Sequence, residues 1–440
     1  MANYPRIPLG ELAADEPGAV AIGPFGSRMK SSVYVDEGVP VIRGTNISAE
    51  RHLKGAWVYV TEEFAEGLPN CLVRSGDLVF PHRGSIGQVA LIGAECKKLV
   101  LSTSMMKFRA DADRVNSEFL YYFFRSSMGR EEILSYSSQV GTPGIGQPLS
   151  SLRRFRVPLP SLETQNAIAA ILGALDEKIE LNRQTSYSLE VLARAIFKSW
   201  FVDFDPVHAK AKGRDTGLAP DLANLFPDRF GDDGLPEGWQ QQPLEAQFDL
   251  SPRTPVNDES TLPYVDMAAL PTNSARVMSV AERPRSGGAR FINGDALLAR
   301  ITPCLENGKA AFVDFLAEDE VAIGSTEFIV FRPKGRLSGV WAYLLLRDDS
   351  FRSHAIANMS GTSGRQRVSA SSLAPWPIAV PQMDVAQHFD AMTKPIFESM
   401  KAHDLESQTL AALRDLLLPK LMSGEIRIKD AEKLAGEAGV

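Results

Sequence analysis

The stretch GTPGIGQPLSSLRRFRVPLP, Gly141 to Pro160, is answered by GTSGRQRVSASSLAPWPIAVP, Gly361 to Pro381, and each copy runs straight into a long apolar-periodic segment. The offset is 220 residues at Gly361 against Gly141 and 221 at Ser371 against Ser150. It holds down the segment that follows, where Leu189, Leu192, Ile196, Phe197 and Trp200 map onto Leu410, Leu413, Leu417, Leu418 and Leu421. A fainter echo precedes the junction: Gly76-Asp77 matches Gly294-Asp295, and Ser102-Thr103 with Phe108-Arg109 matches Ser325-Thr326 with Phe331-Arg332. A period this long is too great for a solenoid unit and marks a duplicated module of one globule and one helix. Two such modules on one chain suit a two-part ligand.

Ser161 is the expected N-cap of the first helix, with Glu163 in the turn where the helix dipole favours negative charge. Its seam reads Ile168, Leu172, Leu175, Ile179, Asn182, Ser186, Leu189, Ala193, Ile196, Trp200, alternating steps of four and three. That is a heptad seam, interrupted at mid-length by polar residues of the kind that set register and partner choice. The second helix repeats it with Phe389, Ile396, Met400, His403, Ser407, Leu410, Leu413, Leu417 and Leu421, so that His403 stands where Asn182 stands. At 1.5 Å per residue, about 40 residues make a helix roughly 60 Å long, suited to pairing with its duplicate. Pro395 and Pro419 predict a kink or late start in the second copy and an end near Pro419.

Residues 1–160 carry short β-type runs, Val39 to Arg43, Trp57 to Val60, Asp77 to Phe80, Gln88 to Ile92, Leu99 to Ser102 and Met105 to Arg109, and one helical run from Ser117 to Ser126. The expected class is α+β. Residues 161–204 are the first long helix, and 205–237, rich in Pro, Gly and Asp, read as a linker. Residues 238–381 are a second globule with strands at Pro263 to Asp266, Ala296 to Arg300, Ala310 to Phe315 and Phe328 to Phe331, and a helix at Val340 to Arg347. The second long helix spans 382–424, and 425–440 form a tail.

The composition, 44% hydrophobic and 23% charged, is that of an ordinary globular chain and excludes a fibrous or disordered class. No apolar run is long enough to span a membrane and the N-terminus does not read as a signal peptide, so a cytoplasmic location is expected. Three scattered cysteines offer neither a disulfide framework nor zinc spacing. Glycine-rich nucleotide loops, HExxH and the amino-methyltransferase motif are missing, and the six histidines are dispersed. A net charge of −7 argues against a uniformly basic nucleic-acid binder, but leaves room for local cationic loops such as Arg153-Arg154-Phe155-Arg156.

Those loops hold the candidate site residues. Arg43 and Asn46, in PVIRGTNI, have the side chains that pair with guanine and adenine edges, and read equally as a salt bridge and a turn cap. Arg28 and Lys30 in PFGSRMK, Arg83, Ser85 and Gln88 in PHRGSIGQ, Arg300 and Lys309 in the duplicate, and Arg365 and Arg367 offer hydroxyl, amide and cationic groups of the kind that grip DNA. The repeated Gly-Thr-x-Gly loops read either as phosphate-binding nests or as tight turns. Leu172, Leu175, Ile179, Asn182, Leu189, Ile196, Ile396, Met400, His403, Leu410 and Leu417 are the candidate partner and coiled-coil residues. On the seam alone, a coiled-coil scaffold whose globules bind proteins is the alternative reading.

The strings GVPVIRGTNI, GDLVFPHRGSIGQVALI, SSLRRFRVPLPSLETQNAIAAILGALDEKIELNRQ and LRDLLLPKLMSGEI resemble the specificity subunit of type I restriction-modification systems. The resemblance covers nearly the whole chain, duplication included. It implies two target-recognition domains, each reading one half of a bipartite double-stranded DNA site, held apart by two helices paired as an antiparallel coiled coil. It also implies a non-catalytic chain that docks two methylation subunits, which use S-adenosylmethionine, and restriction subunits, which use ATP with Mg, so that no cofactor is expected in this chain.

Overall fold

Asp77 and Asp295, the echoed aspartates, are sealed from solvent, and each is gripped by the arginine that closes its echo. Arg109 donates from Nε and Nη2 to the two oxygens of Asp77, both at 2.7 Å. Arg332 does the same to Asp295, at 2.9 and 2.6 Å. Each aspartate also accepts a backbone N–H three residues upstream, from Arg74 and Ile292, both at 2.9 Å. A bidentate, charge-assisted fork is strong enough to fix a loop to a strand end, and this chain uses it twice.

The computed structural model describes residues 4–25, 28–48, 51–94, 96, 98–138, 143–256, 261–284, 287–362 and 364–440. It divides into two units, one of residues 1–181 with 406–440 and the other of 182–405. The first holds β1 (Arg6–Pro8), β2 (Val20–Ile22), β3 (Val39–Ile42), β4 (Tyr59–Val60), β5 (Leu72–Val73), β6 (Leu78–Pro81), β7 (Ala90–Leu91), β8 (Leu99–Leu101), β9 (Met105–Phe108), β10 (Ser137–Ser138), β11 (Gly144–Ile145) and β12 (Arg156–Pro158). The second holds β13 (Gln240–Pro243), β14 (Phe248–Leu250), β15 (Thr261–Val265), β16 (Ala281–Pro284), β17 (Ala289–Phe291), β18 (Ala296–Ala299), β19 (Ala310–Phe312), β20 (Ala322–Gly324), β21 (Phe328–Pro333) and β22 (Pro377–Val380).

The sheets repeat. Order β2-β9-β6-β7 becomes β14-β21-β18-β19, order β4-β3-β8-β5 becomes β16-β15-β20-β17, and the closing pair β1-β12 becomes β13-β22. Register repeats as well: Leu78 lies opposite Phe108, and Ala296 opposite Phe331. A parallel strand pairing, β3 with β8 and β15 with β20, also falls in the same place in each unit. A helix pair follows, Ser117–Arg125 with Ser127–Leu134 in the first unit and Gly339–Leu346 with Asp349–Ala357 in the second. All four start on a side-chain cap, from Asn116, Ser126, Ser338 and Asp348. Aromatic rings fill the space beneath: Phe80 against Phe124 at 5.0 Å in one unit, Phe248 stacked on Trp341 at 5.8 Å in the other.

The long helices are Leu162–Phe201 and Met383–Ser423, 40 and 41 residues. Each unit takes part of both. Within the first, Arg414 donates to Asp176 at 2.7 Å and Lys178 lies 3.4 Å from Glu406, so numbers rise on one helix as they fall on the other. Within the second, Ser186 Oγ meets His403 Nδ1 at 3.3 Å and Phe201 packs edge-on against Phe389 at 4.8 Å, in the same sense. Of the expected seam, Leu172, Leu175, Asn182, Met400, Leu410 and Leu417 are buried, and Ile179, Leu189, Ile196, Ile396 and His403 half-buried.

Three expectations are corrected. The second helix passes unbroken through Pro395 and Pro419 to Ser423, because both prolines lie on its exposed face, where the carbonyls they orphan, of Ala391 and Asp415, can bond to water. Gly424, with φ of +70°, then ends it as a left-handed cap. The stretch read as a linker is folded: it carries helices Asp205–Ala211 and Pro220–Ala223 and buries Val207 and Phe226 in the second unit's core. The tail is a helix, Ile428–Glu437, which buries Ala431 and Ala435 in the first unit's core.

Candidate nucleic-acid interface

The same end of the same sheet opens into a cleft in each unit. In the first, the loop leaving β2, the turn leaving β6 and the residues before β9 surround about 1280 Å³, lined among others by Phe25, His82, Arg83, Thr103, Arg153 and Arg154. In the second, the loop leaving β14, the turn leaving β18 and the residues before β21 surround about 780 Å³, with Arg253, Thr254, Arg290, Arg300, Thr326 and Phe328 in its wall. Thr103 and Thr326 are the echoed threonines, and β11's entry repeats too: Ile145 N–H donates to the His82 carbonyl, and Val368 N–H to that of Arg300, both at 2.9 Å. Among the described lining residues of either cleft there is no carboxylate. An acid-free wall with several arginines carries a positive potential that attracts polyanions even on a chain of net charge −7.

In the first cleft, Phe25 stands 77% exposed beside exposed Arg83 and Arg153. An aromatic face among cations is suited to stacking on bases. His82 is its buried wall. Its Nε2 lies 3.1 Å from the Thr103 carbonyl and so donates, leaving Nδ1 a buried lone pair without a partner among the described residues. Burial pushes this imidazole below the usual histidine range.

In the second cleft the arginines differ. Arg290 donates to the Thr254 carbonyl at 2.8 Å, and Arg300 lies 3.6 Å from Glu327. Glu327, just outside the wall, accepts three hydrogen bonds from Arg367, at 2.7 to 3.0 Å, and these hold its carboxyl below the usual range. Arg253 is exposed and makes no hydrogen bond or ion pair among the described residues.

The candidates read from sequence are thus dispersed. Arg83 and Arg300 lie in the clefts; Arg28, Lys30, Ser85 and Arg365 are exposed outside them, and Arg28 borders a separate depression with Glu63 and Phe64. Gln88 is half-buried, with its Oε1 unpartnered among the described residues. Asn46 is fully buried, its carbonyl oxygen accepting from Arg43 N–H at 3.0 Å and its amide donating to the Lys54 and Ala56 carbonyls. It therefore braces its own loop, the turn-cap reading, and Arg43 Nη2 donates to the same Ala56 carbonyl at 2.7 Å. Lys309 is likewise spent on the Met267 carbonyl at 2.6 Å, and Arg367 on Glu327. Gly141-Thr142 of the first Gly-Thr-x-Gly loop and Ser363 of the second lie outside the described residues. Sequence reading missed Arg153 and Arg154 as cleft residues although it marked them as cationic, and missed Arg253 and Arg290. The signal for Arg253 was its setting between two prolines in Ser-Pro-Arg-Thr-Pro.

A family model described as the type I restriction modification DNA specificity domain matches residues 26–191. The specificity subunit of the type I restriction enzyme HindI from Haemophilus influenzae is 25% identical over 408 residues, covering 80% of this chain and 87% of that one. That of MjaIX from Methanocaldococcus jannaschii is 25% identical over 388 residues, covering 84% and 82%. Over most of its length the chain is thus similar to type I restriction enzyme specificity subunits. The fold is also similar to that in the crystal structure of a type I restriction-modification S subunit from M. genitalium, with a TM-score of 0.56 at 15% identity, covering 95% of this chain and 96% of that one. Among the described residues no helix is long and apolar enough to cross a membrane.

Proposed function

We propose that the chain is the DNA sequence-specificity subunit of a type I restriction-modification complex, with one reader of a bipartite double-stranded site in each unit. The observation that carries this is the repeated cleft, arginine-lined and free of carboxylate, at the same sheet end in both units. Exposed Arg28, Lys30, Ser85 and Arg365 are assigned to phosphate, and Arg83 to the groove. The helix pairings found in each unit belong to one antiparallel coiled coil that docks two methylation subunits and sets the interval between half-sites. The chain is not an enzyme. Methyl transfer from S-adenosylmethionine, and ATP- and Mg-dependent restriction, belong to partner subunits.

Purified complex, assembled with its methylation subunits, is expected to shift duplex DNA containing the bipartite site, with affinity falling steeply as salt rises. Equal, salt-insensitive retention of all duplexes, or none, is the result a protein-binding scaffold gives.

A further inference from the structure

We propose that Arg253 reads a guanine in the half-site bound by the second unit. The inference rests on the DNA-reading function proposed above and names the residue and the base class. Three arginines line this cleft, and two are committed: Arg290 to the Thr254 carbonyl, Arg300 to the neighbourhood of Glu327. Arg253 alone of the three is without a partner among the described residues.

The loop that presents it is tightly held. Ser251 has φ of +53°, a conformation that costs a non-glycine residue free energy and persists only where the surroundings enforce it. They do so here: Ser251 N–H donates to the Val330 carbonyl at 2.7 Å, and Ser251 Oγ accepts from Val330 N–H at 3.3 Å. Pro252 and Pro255 restrict the backbone on either side. Thr254, 5% exposed, is clamped from two directions, its carbonyl by Arg290 and its Oγ1 by Arg332 Nη1 at 3.1 Å. Arg332 is itself the fork on buried Asp295, so the internal pair that repeats in both units here reaches out to position a loop. In the first unit the equivalent Arg109 bonds to Glu16 instead.

An exposed guanidinium on a braced loop loses little freedom when it docks, and its planar fork matches the O6 and N7 of guanine in the major groove. Phosphate would be served as well by lysine on a loose loop. The geometry is the more demanding kind.

The test is sequencing of modified adenines in DNA from cells carrying the full methylation complex, with wild-type chain, Arg253→Ala, Arg253→Lys or Thr254→Val. The wild-type motif is expected to contain a G·C pair that Arg253→Ala and Arg253→Lys both relax by about tenfold or more in discrimination, the other half-site staying unchanged. Thr254→Val, which removes only the Oγ1 acceptor, is expected to relax the same pair in part. The unchanged half-site reports that the variant complex has folded and assembled. If lysine restores wild-type discrimination, or if both variants keep the motif sharp and merely weaken binding to all duplexes, Arg253 meets phosphate and the proposal is overturned. Should the wild-type complex modify no defined bipartite sequence, the DNA-reading function itself fails.

Discussion

Asp77 is fully buried and serves one partner above all, Arg109. Asp77→Ala leaves that guanidinium desolvated, with Glu16 as its remaining acid, and is expected to destabilise the fold by about 3 kcal/mol. Denaturant unfolding of the full chain checks it; a loss below 1 kcal/mol would mean that Arg109 turns out to solvent at no cost. His82 gives a pH signature. Its folded-state pKa is depressed by burial, so the unfolded chain takes the proton first as pH falls. Stability from this residue is therefore full above about pH 6.5 and is lost below it. Between about pH 7 and 5.5 the unfolding midpoint is expected to drop more in wild type than in His82→Gln, whose amide keeps a donor for the Thr103 carbonyl. Parallel curves for the two proteins would show that His82 takes up its proton equally in the folded and unfolded chain.

The second long helix carries two prolines on its exposed face without breaking. Pro419→Ala restores a donor for the Asp415 carbonyl and removes a ring clash, and is expected to raise stability by roughly 1–3 kcal/mol, read as a higher melting temperature. Unchanged melting would mean that the helix is already bent to suit the ring. Elements were legible in the sequence where periodicity was strong. The runs at Met105 and Phe328, the helix at Ser117 and both long helices stand where alternation and heptads place them. The three-residue strands β2 and β14 were not, since so short a span shows no period. The folded stretch after Phe204 was hidden because Val207 and Phe226 gain their burial from distant residues, Phe226 stacking edge-on against Trp200 at 4.9 Å. The site was half legible: sequence finds arginines in loops, but only the fold separates Arg253, unpaired among the described residues, from Arg367, whose charge Glu327 already answers.

At the scale of the molecule, the proposed coiled coil predicts a change in spacing without a change in the bases read. Ser186 and His403 face each other, so one heptad added after Ser186 and one before His403 keep the seam in phase and add roughly 10 Å of helix. Modified sites are expected to retain both half-sites while the unspecified gap between them widens, by at most ~3 bp, limited by the twist of DNA. An unchanged gap in a folded, active variant would leave the helices a docking role alone.

One consequence concerns synthesis on the ribosome. The first unit is residues 1–181 completed by 406–440, whose Leu410, Leu417 and Leu421 lie in the same core as Phe80 and Phe119. Its opening segment emerges early, yet it waits for residues 182–405 to be translated, roughly 10–45 s at 5–20 residues per second. Through that interval Leu172 and Leu175 face water or a chaperone, and a ribosome that stops short of Glu406 releases a reader whose core never closes.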